Sequence, residues 1–494
     1  SPPTIAKSFG AATISVNGST TLSFTITNPN AGFALSGVGF VDTLPVGLVV
    51  STPNSKTGSC GGGTITAIAG SGSVSLANAT LAGGAHCTLS VKVTGTTAGV
   101  EDNQVMVTST NAGPGNTADA TVTVVAPPNV AKLFGSASVP FGGTTTLTFS
   151  VTNPNPTVGL SGVGVVDTLP AGLVVANPKV VSGSCGAGVV TAAAGSSKIS
   201  LAGATLAAGG SCSLSVDVTA KSLGVKHNVT SKVTSVEGGA GNVASATLKV
   251  VRAPTVTTVT VTPSVSSLGS PVTFGATVAP AGPNASGVNP TGTVSFFLDG
   301  GATPVATVAL NPDGTASFTT SGLGAGEHTV TAGYSGDTNF LPSASTTAAT
   351  GRVGCDTTLT GDVNGALIGG PGSTCVIGGH ITGAVVVPAG SSLDLEGVTV
   401  DGSISADGAA FIRICGSTAS AISVSNSTGF VLIGDAGDDS CNPNTLSGAL
   451  TLSHNTGGVE AIGNHVAGTV IDTANSGTGP FPEDTAPDIA GNGP

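Results

Sequence analysis

The feature that most constrains this chain is that it repeats itself. "PPTIAKSFG" at 2–10 returns as "PPNVAKLFG" at 127–135, and "LSFTITNPN" at 22–30 returns as "LTFSVTNPN" at 147–155. "VDTLPVGLVV" at 41–50 returns as "VDTLPAGLVV" at 166–175, and Cys60 and Cys87 return as Cys185 and Cys212. Each offset is 125, so the first 250 residues are two copies of one domain. Any fold must be one that a unit of this size builds alone and then builds again.

The texture of that unit is all-β. Short Val/Thr/Ile/Leu runs alternate with polar residues and are punctuated by Gly, Pro, Asn and Asp. The chain of 494 residues carries 76 Gly, no Trp and one Tyr, and shows no long helical periodicity. Its length allows about three to five domains. Only 8% of it is charged and the net charge is −12. Thirteen scattered basic residues, with few aromatic platforms, argue against nucleic-acid binding. No apolar run is long enough to span a membrane as a helix. The opening "SPPT" reads as a mature end after removal of a secretion signal.

The eight Cys fall as four neighbouring pairs, Cys60/Cys87, Cys185/Cys212, Cys355/Cys375 and Cys415/Cys441, with no C-x-x-C among them. This predicts four disulfides and an oxidising, extracellular compartment. The chemistry implies no cofactor.

Charged residues differ between the two copies almost everywhere. One lysine is common to both, Lys7/Lys132, and one acid, Asp42/Asp167. Lys7 lies in strand phase with Ile5 and Phe9, and Asp42 with Val38, Phe40 and Leu44, so both face the same core. Asn103, in phase with Val105 and Val107, and its counterpart Asn228 are shared as well, although Asn228 is followed in phase by Thr230 and Lys232. A buried unpaired ammonium is costly. One reading is a buried Lys–Asp ion pair. The other is a spontaneous Lys–Asn isopeptide bond. Desolvation makes the amine neutral and the acid protonated, and the acid shuttles protons while ammonia leaves. Asn28 and Asn153 are also inward by phase and serve as acceptors or as turn formers.

Here a resemblance enters. The "VTNPN" and "DTLPxGL" motifs resemble a bacterial surface-protein repeat. The order of Lys, acid and Asn is similar to that of isopeptide-bonded, Cna-like sandwiches of pilins and adhesins. The resemblance implies autocatalytic roles for Lys7, Asp42 and Asn103, and for Lys132, Asp167 and Asn228.

From Thr255 the pattern changes. "GEHTVTAGYSGDTNF" at 326–340 resembles a bacterial Ig-like domain of group 3, which implies a spacer or adhesion module. Glu327 and His328 read as solvated. After Gly351 a small-Gly-x-apolar beat recurs at Gly365, Gly383, Gly402, Ser420, Gly448 and Gly468, with spacings of 18, 19, 18, 28 and 20. Near-constant spacing predicts a β-solenoid, and the segment resembles Gly-rich parallel β-helix domains of exported bacterial proteins. Asp394, Asp401 and Asp407 read as loop turns. Asp435, Asp438 and Asp439 form a weak calcium candidate. Beyond Arg352 at its start, the segment has one Arg, Arg413, and no Lys; it lacks a catalytic cluster, so no enzyme is expected.

The expected architecture is all-β: three Ig-like/Cna-like β-sandwiches in tandem (1–126, 127–252, 253–350), a parallel β-solenoid (351–478) and a Pro/Gly-rich tail (479–494). The expected function is a secreted structural subunit of a bacterial surface fibre or filament, self-associating and internally crosslinked. The alternative is an adhesin whose solenoid binds a host or glycan ligand.

Overall fold

The computed structural model describes residues 1–437, 441–480 and 485–494. They form two compact units, Ser1–Val251 and Arg252–Pro494. Among the described residues there is no helix, and so none long and apolar enough to cross a membrane. That fits a sequence rich in β-branched residues and glycine.

In the first copy, the strands Thr4–Phe9, Ser19–Thr27, His86–Gly95 and Leu48–Val50 lie side by side in that order. The facing sheet is ordered Thr13–Ser15, Gly113–Val125, Gly99–Ser109, Leu35–Thr43, Ser73–Leu81 and Thr64–Thr66. "STTLSFTIT" shows why: alternate residues Leu22, Phe24 and Ile26 are fully buried, and the Thr and Ser between them face outward. These side chains pack with Phe40, Val105 and Val122 of the other sheet into one core, which makes a β-sandwich. Cys60 and Cys87 are bonded, with Cα atoms 5.1 Å apart.

The second copy repeats this with one difference. Asn103 pairs with Ala120, whereas Asn228 pairs with Ala246, an offset of 126 on the partner strand. One residue is inserted after Asn228. The strand that runs unbroken over Gly99–Ser109 is split into Gly224–Val229 and Thr234–Ser235. The cause is Lys232, which occupies the place of the buried Val107. Keeping phase would drive another ammonium into the core. The chain slips instead: Lys232 is exposed, Val233 is fully buried, and the Thr230 hydroxyl accepts the Ala244 N–H at 2.9 Å.

The second unit opens with another sandwich. Its three-stranded sheet, Thr255–Thr262, Val272–Pro280 and Thr315–Thr320, faces a sheet built on Gly326–Tyr334 and Thr293–Leu298. Phe318 packs between Phe274 and Phe296, at centroid distances of 5.1 Å to each. Ala349–Gly354 completes the second sheet, so this layer runs past Gly351, where the texture changes.

Beyond it, three parallel sheets run side by side. One joins Leu367–Ile368, Val385–Val387, Ile404–Asp407, Ile422–Ser425, Leu450–Ser453 and Val470–Thr473. A column such as Val385, Ile404, Ile422, Leu450 and Val470 is held in register, and the inward residues of all three sheets share one core. A small residue, mostly glycine, is needed at these turns because successive turns stack backbone on backbone. A Cβ on Gly383, Gly402 or Gly468 would lie 2.5 to 2.8 Å from the turn before it. Buried asparagines continue the stacking: Asn444 donates N–H and Nδ2–H to Oδ1 of Asn464, and Asn464 does the same to Asn492. Asn492 belongs to the tail, which packs on its own chain through parallel bridges Glu460–Asp488 and His465–Gly493.

Gly402→Val is expected to destabilise the second unit by about 1–3 kcal/mol. Gly282→Ala, where a Cβ meets nothing within 4 Å, should leave it unchanged. Thermal unfolding of the two variants checks this.

Candidate functional site

The site is built by two sheets facing each other. Lys7 stands in Thr4–Phe9, directly opposite Phe24 in the antiparallel register. The outer edge of that strand is pinned by Asn116, whose Oδ1 accepts the Ile5 N–H at 2.7 Å and whose Nδ2 donates to the Ile5 carbonyl at 2.9 Å. A side chain thus satisfies part of an exposed edge and fixes the strand two residues from the lysine. Asp42 in Leu35–Thr43 and Asn103 in Gly99–Ser109 come from the opposite sheet.

The three meet in the core. Lys7 Nζ donates to Asp42 Oδ1 at 2.7 Å, and Asn103 Nδ2 donates to Asp42 Oδ2 at 3.0 Å. The Lys7 and Asp42 side chains are both fully buried, and Asn103 is 1% exposed. The second copy repeats the arrangement: Lys132 Nζ donates to Asp167 Oδ1 at 2.8 Å and Asn228 Nδ2 to Asp167 Oδ2 at 2.7 Å. The insertion after Asn228 leaves this geometry intact, because it falls beyond the asparagine.

Two tendencies compete at the lysine. Burial favours the neutral amine. The hydrogen bond and charge of Asp42 favour the ammonium, as does the Phe24 ring, whose centroid lies 5.6 Å from Nζ. Burial wins, and the Lys7 pKa is lowered. Burial likewise pushes the Asp42 carboxyl up against the opposing pull of Lys7 and Asn103. Lys132 is lowered for the same reason as Lys7, over the ring of Phe149 at 5.8 Å. The two shifts bring the amine/carboxylic-acid pair closer in energy to the ion pair. The Oδ1 atoms of Asn103 and Asn228 are buried without a hydrogen-bond partner, an arrangement that costs about 1–3 kcal/mol. A half-turn of the Asn103 amide would place its oxygen on Asp42, where a protonated carboxyl donates to it.

Asn28 and Asn153 stand elsewhere, as loop braces. Asn28 Nδ2 donates to the carbonyls of Phe33, Leu81 and Ala82, and its Oδ1 accepts from Asn30. Asn153 does the same for Val158, Ala207 and Asn155. The Asn116 clamp and its counterpart Asn242 on Val130 were hidden from the repeat comparison because the insertion shifts them out of the 125-residue offset. The remaining disulfides join Cys185 to Cys212, Cys355 to Cys375 and Cys415 to Cys441.

Three residues depart from expectation. His328 is not solvated: its side chain is 14% exposed and paired with Asp299 at 2.7 Å. Asp394 is not a loop turn but a buried strand residue paired with Arg413 at 3.1 Å. Asp407 ends a strand and binds Ser425 and Asn426, whereas Asp401 lies in a bend between strands, as expected, and pairs with His380 at 2.8 Å. Asp435 turns its carboxylate onto the Gly437 N–H; Asp438 and Asp439 lie outside the described residues. Among the described residues, no group of three or more His, Cys, Asp or Glu is placed to hold a metal ion.

Residues 3–124 and 128–250 each match the model of a domain of unknown function, DUF7933, and residues 258–354 match the bacterial Ig-like domain (group 3). The second DUF7933 match is one residue longer than the first, as the insertion requires. No curated protein matches the chain in sequence. Among solved structures, the C-terminal domain of the Streptococcus agalactiae AgI/II polypeptide BspA superposes with 13% identity and a TM-score of 0.30, over 50% of this chain and 100% of the other. The C-terminal domain of the Streptococcus pyogenes antigen I/II-family protein AspA gives 12%, 0.32, 49% and 98%. The titin I-band fragment I67–I69 gives 13%, 0.33, 72% and 98%. At TM-scores this low, such likenesses carry no property from one chain to another.

Asp42→Ala leaves Lys7 buried without its partner and is expected to destabilise the first sandwich by about 3–5 kcal/mol. Lys7→Met combined with Asp42→Leu should be more stable than Asp42→Ala alone, because it leaves no buried ammonium without a partner. Denaturant unfolding of the two variants checks it.

Proposed function

We propose that this chain is a secreted structural protein of a bacterial surface, a subunit of a fibre or extracellular filament. In this reading three sandwiches stand in tandem ahead of a parallel β-solenoid, and the two N-terminal sandwiches close Lys–Asn isopeptide bonds. Lys7 Nζ attacks Cγ of Asn103, the new C–N bond forms, and the Cγ–Nδ2 bond breaks. Asp42 carries the proton from the attacking nitrogen to the departing one, which leaves as ammonia. Lys132, Asp167 and Asn228 do the same in the second copy. The chain's role is mechanical rather than enzymatic, and it requires no cofactor.

The observation that carries this reading is the buried Lys–Asp–Asn cluster, drawn from separate strands across the core and present twice with the same contacts. A bond there ties the first strand to a late one and takes the residues between out of the path of a pulling force. Four disulfides in a chain of this kind suit an extracellular setting. Among the described residues, the terminal strand of one parallel sheet, Val470–Thr473, has one neighbour, which supports self-association by strand addition.

Stretching the full chain by its ends in a single-molecule experiment tests the reading. Residues 8–102 and 133–227 are expected to stay locked at forces that unfold the Ig-like sandwich. With the Cys60–Cys87 and Cys185–Cys212 disulfides reduced, extension of each by about 340 Å, at ~3.6 Å per residue, would contradict it.

A further inference from the structure

In the second unit, the loop of residues 322–326 lies between the Ig-like sandwich and the parallel stack. On the stack side are Asp394 and Arg413, register partners on adjacent parallel strands. Both point away from the stack's own core, yet they are only 3% and 7% exposed, because the loop rests on them. The Ala325 N–H donates to Asp394 Oδ2 at 2.7 Å, and Arg413 Nη1 donates to Asp394 Oδ1 at 3.1 Å. Gly324 lies so close to the guanidinium that a Cβ there would fall 2.5 Å from Arg413 Nη1.

On the sandwich side the same loop is held by one histidine. His328 Nε2 faces the Gly324 carbonyl oxygen at 2.9 Å, and Nδ1 faces Asp299 Oδ2 at 2.7 Å. Both neighbours are acceptors. A neutral imidazole has one N–H and can satisfy one of them; the imidazolium satisfies both. Asp299 is fixed in turn by the Thr329 N–H, which donates to its Oδ1 at 2.7 Å. A cavity of about 300 Å³ bordered by Asp299, His328, Glu396 and Arg413 gives protons access to the ring.

The geometry points to a proton-operated latch between these two domains: protonated His328 holds the loop of residues 322–326 against Asp394 and Arg413, and loss of its proton loosens the junction. The charged groups around the ring are Asp299 from the sandwich, Glu396 and Arg413 from the stack, Glu327 beside it, and Arg352 opposite Glu327 on the neighbouring strand. Burial opposes the cation, but the hydrogen bonds to Asp299 and Gly324 and the Asp299 charge outweigh it, against Arg413, and His328 titrates above its ordinary 6.5. A raised histidine contributes fully below its unfolded pKa, and its contribution is lost as pH rises through the folded one. Asp394 closes the window from the other side. Burial, opposed by Arg413 and Ala325, raises its carboxyl above 3.8, so the ionised partner is lost in acid. The latch is tightest between these two titrations.

The test is amide hydrogen exchange at Ala325 in the full chain, corrected for intrinsic rate, together with an NMR titration of His328. Protection of Ala325 is expected to fall about fivefold between about pH 6 and pH 8, the size of one lost hydrogen bond, with its midpoint at the His328 pKa. In His328→Gln that pH dependence should vanish. Constant protection across this range in the unaltered chain overturns the latch, as does a midpoint that departs from the His328 titration or a dependence that survives in the variant. If the variant does not fold, the comparison of midpoints in the unaltered chain still decides.

Discussion

A lysine nitrogen, an aspartate and an asparagine amide meeting in a dry core is the contact on which the first unit depends. Removing two charges from water costs several kcal/mol per ion, and attraction repays it only when the geometry is good and the remaining polar atoms are satisfied. The three groups come from facing sheets, so they meet only if both sheets are in the right register. Surrounding features serve that register. Asn116 clamps the first strand two residues from Lys7, and Phe24 sits under the ammonium. In the second copy a one-residue slip keeps Lys232 out of the core without disturbing Asn228.

The same contact explains why comparing the copies was informative. Strand phase alone placed Lys7, Asp42 and Asn103 on inward faces, and the 125-residue repeat singled them out because other charges had drifted. The glycine beat was legible for a related reason. Its spacings of 18, 19, 18, 28 and 20 equal the register steps from Leu367 through Val385, Ile404, Ile422 and Leu450 to Val470. Backbone stacks on backbone at those turns, and only a small residue fits.

What could not be read were contacts that no periodicity reports. Asp394 and Arg413 occupy outward positions, which in an isolated strand would be wet. They are dry because a loop from another domain, 69 residues away at Ala325, covers them. His328 reads as solvated in sequence for the same reason: its partners Asp299 and Gly324 reach it from separate turns. The asparagine ladder through Asn444, Asn464 and Asn492 was hidden by its uneven spacing, and its last rung lies in a Pro/Gly-rich stretch that composition alone marks as disordered.

The central claim is that the buried lysines are no longer free amines. Intact mass after reduction of the disulfides, followed by peptide mapping, tests it most directly. The account predicts a deficit of two ammonia equivalents and two branched peptides, one joining Lys7 to Asn103 and one joining Lys132 to Asn228. A full mass, with all four residues recovered in linear, unmodified peptides, would contradict it and leave both clusters as buried ion pairs.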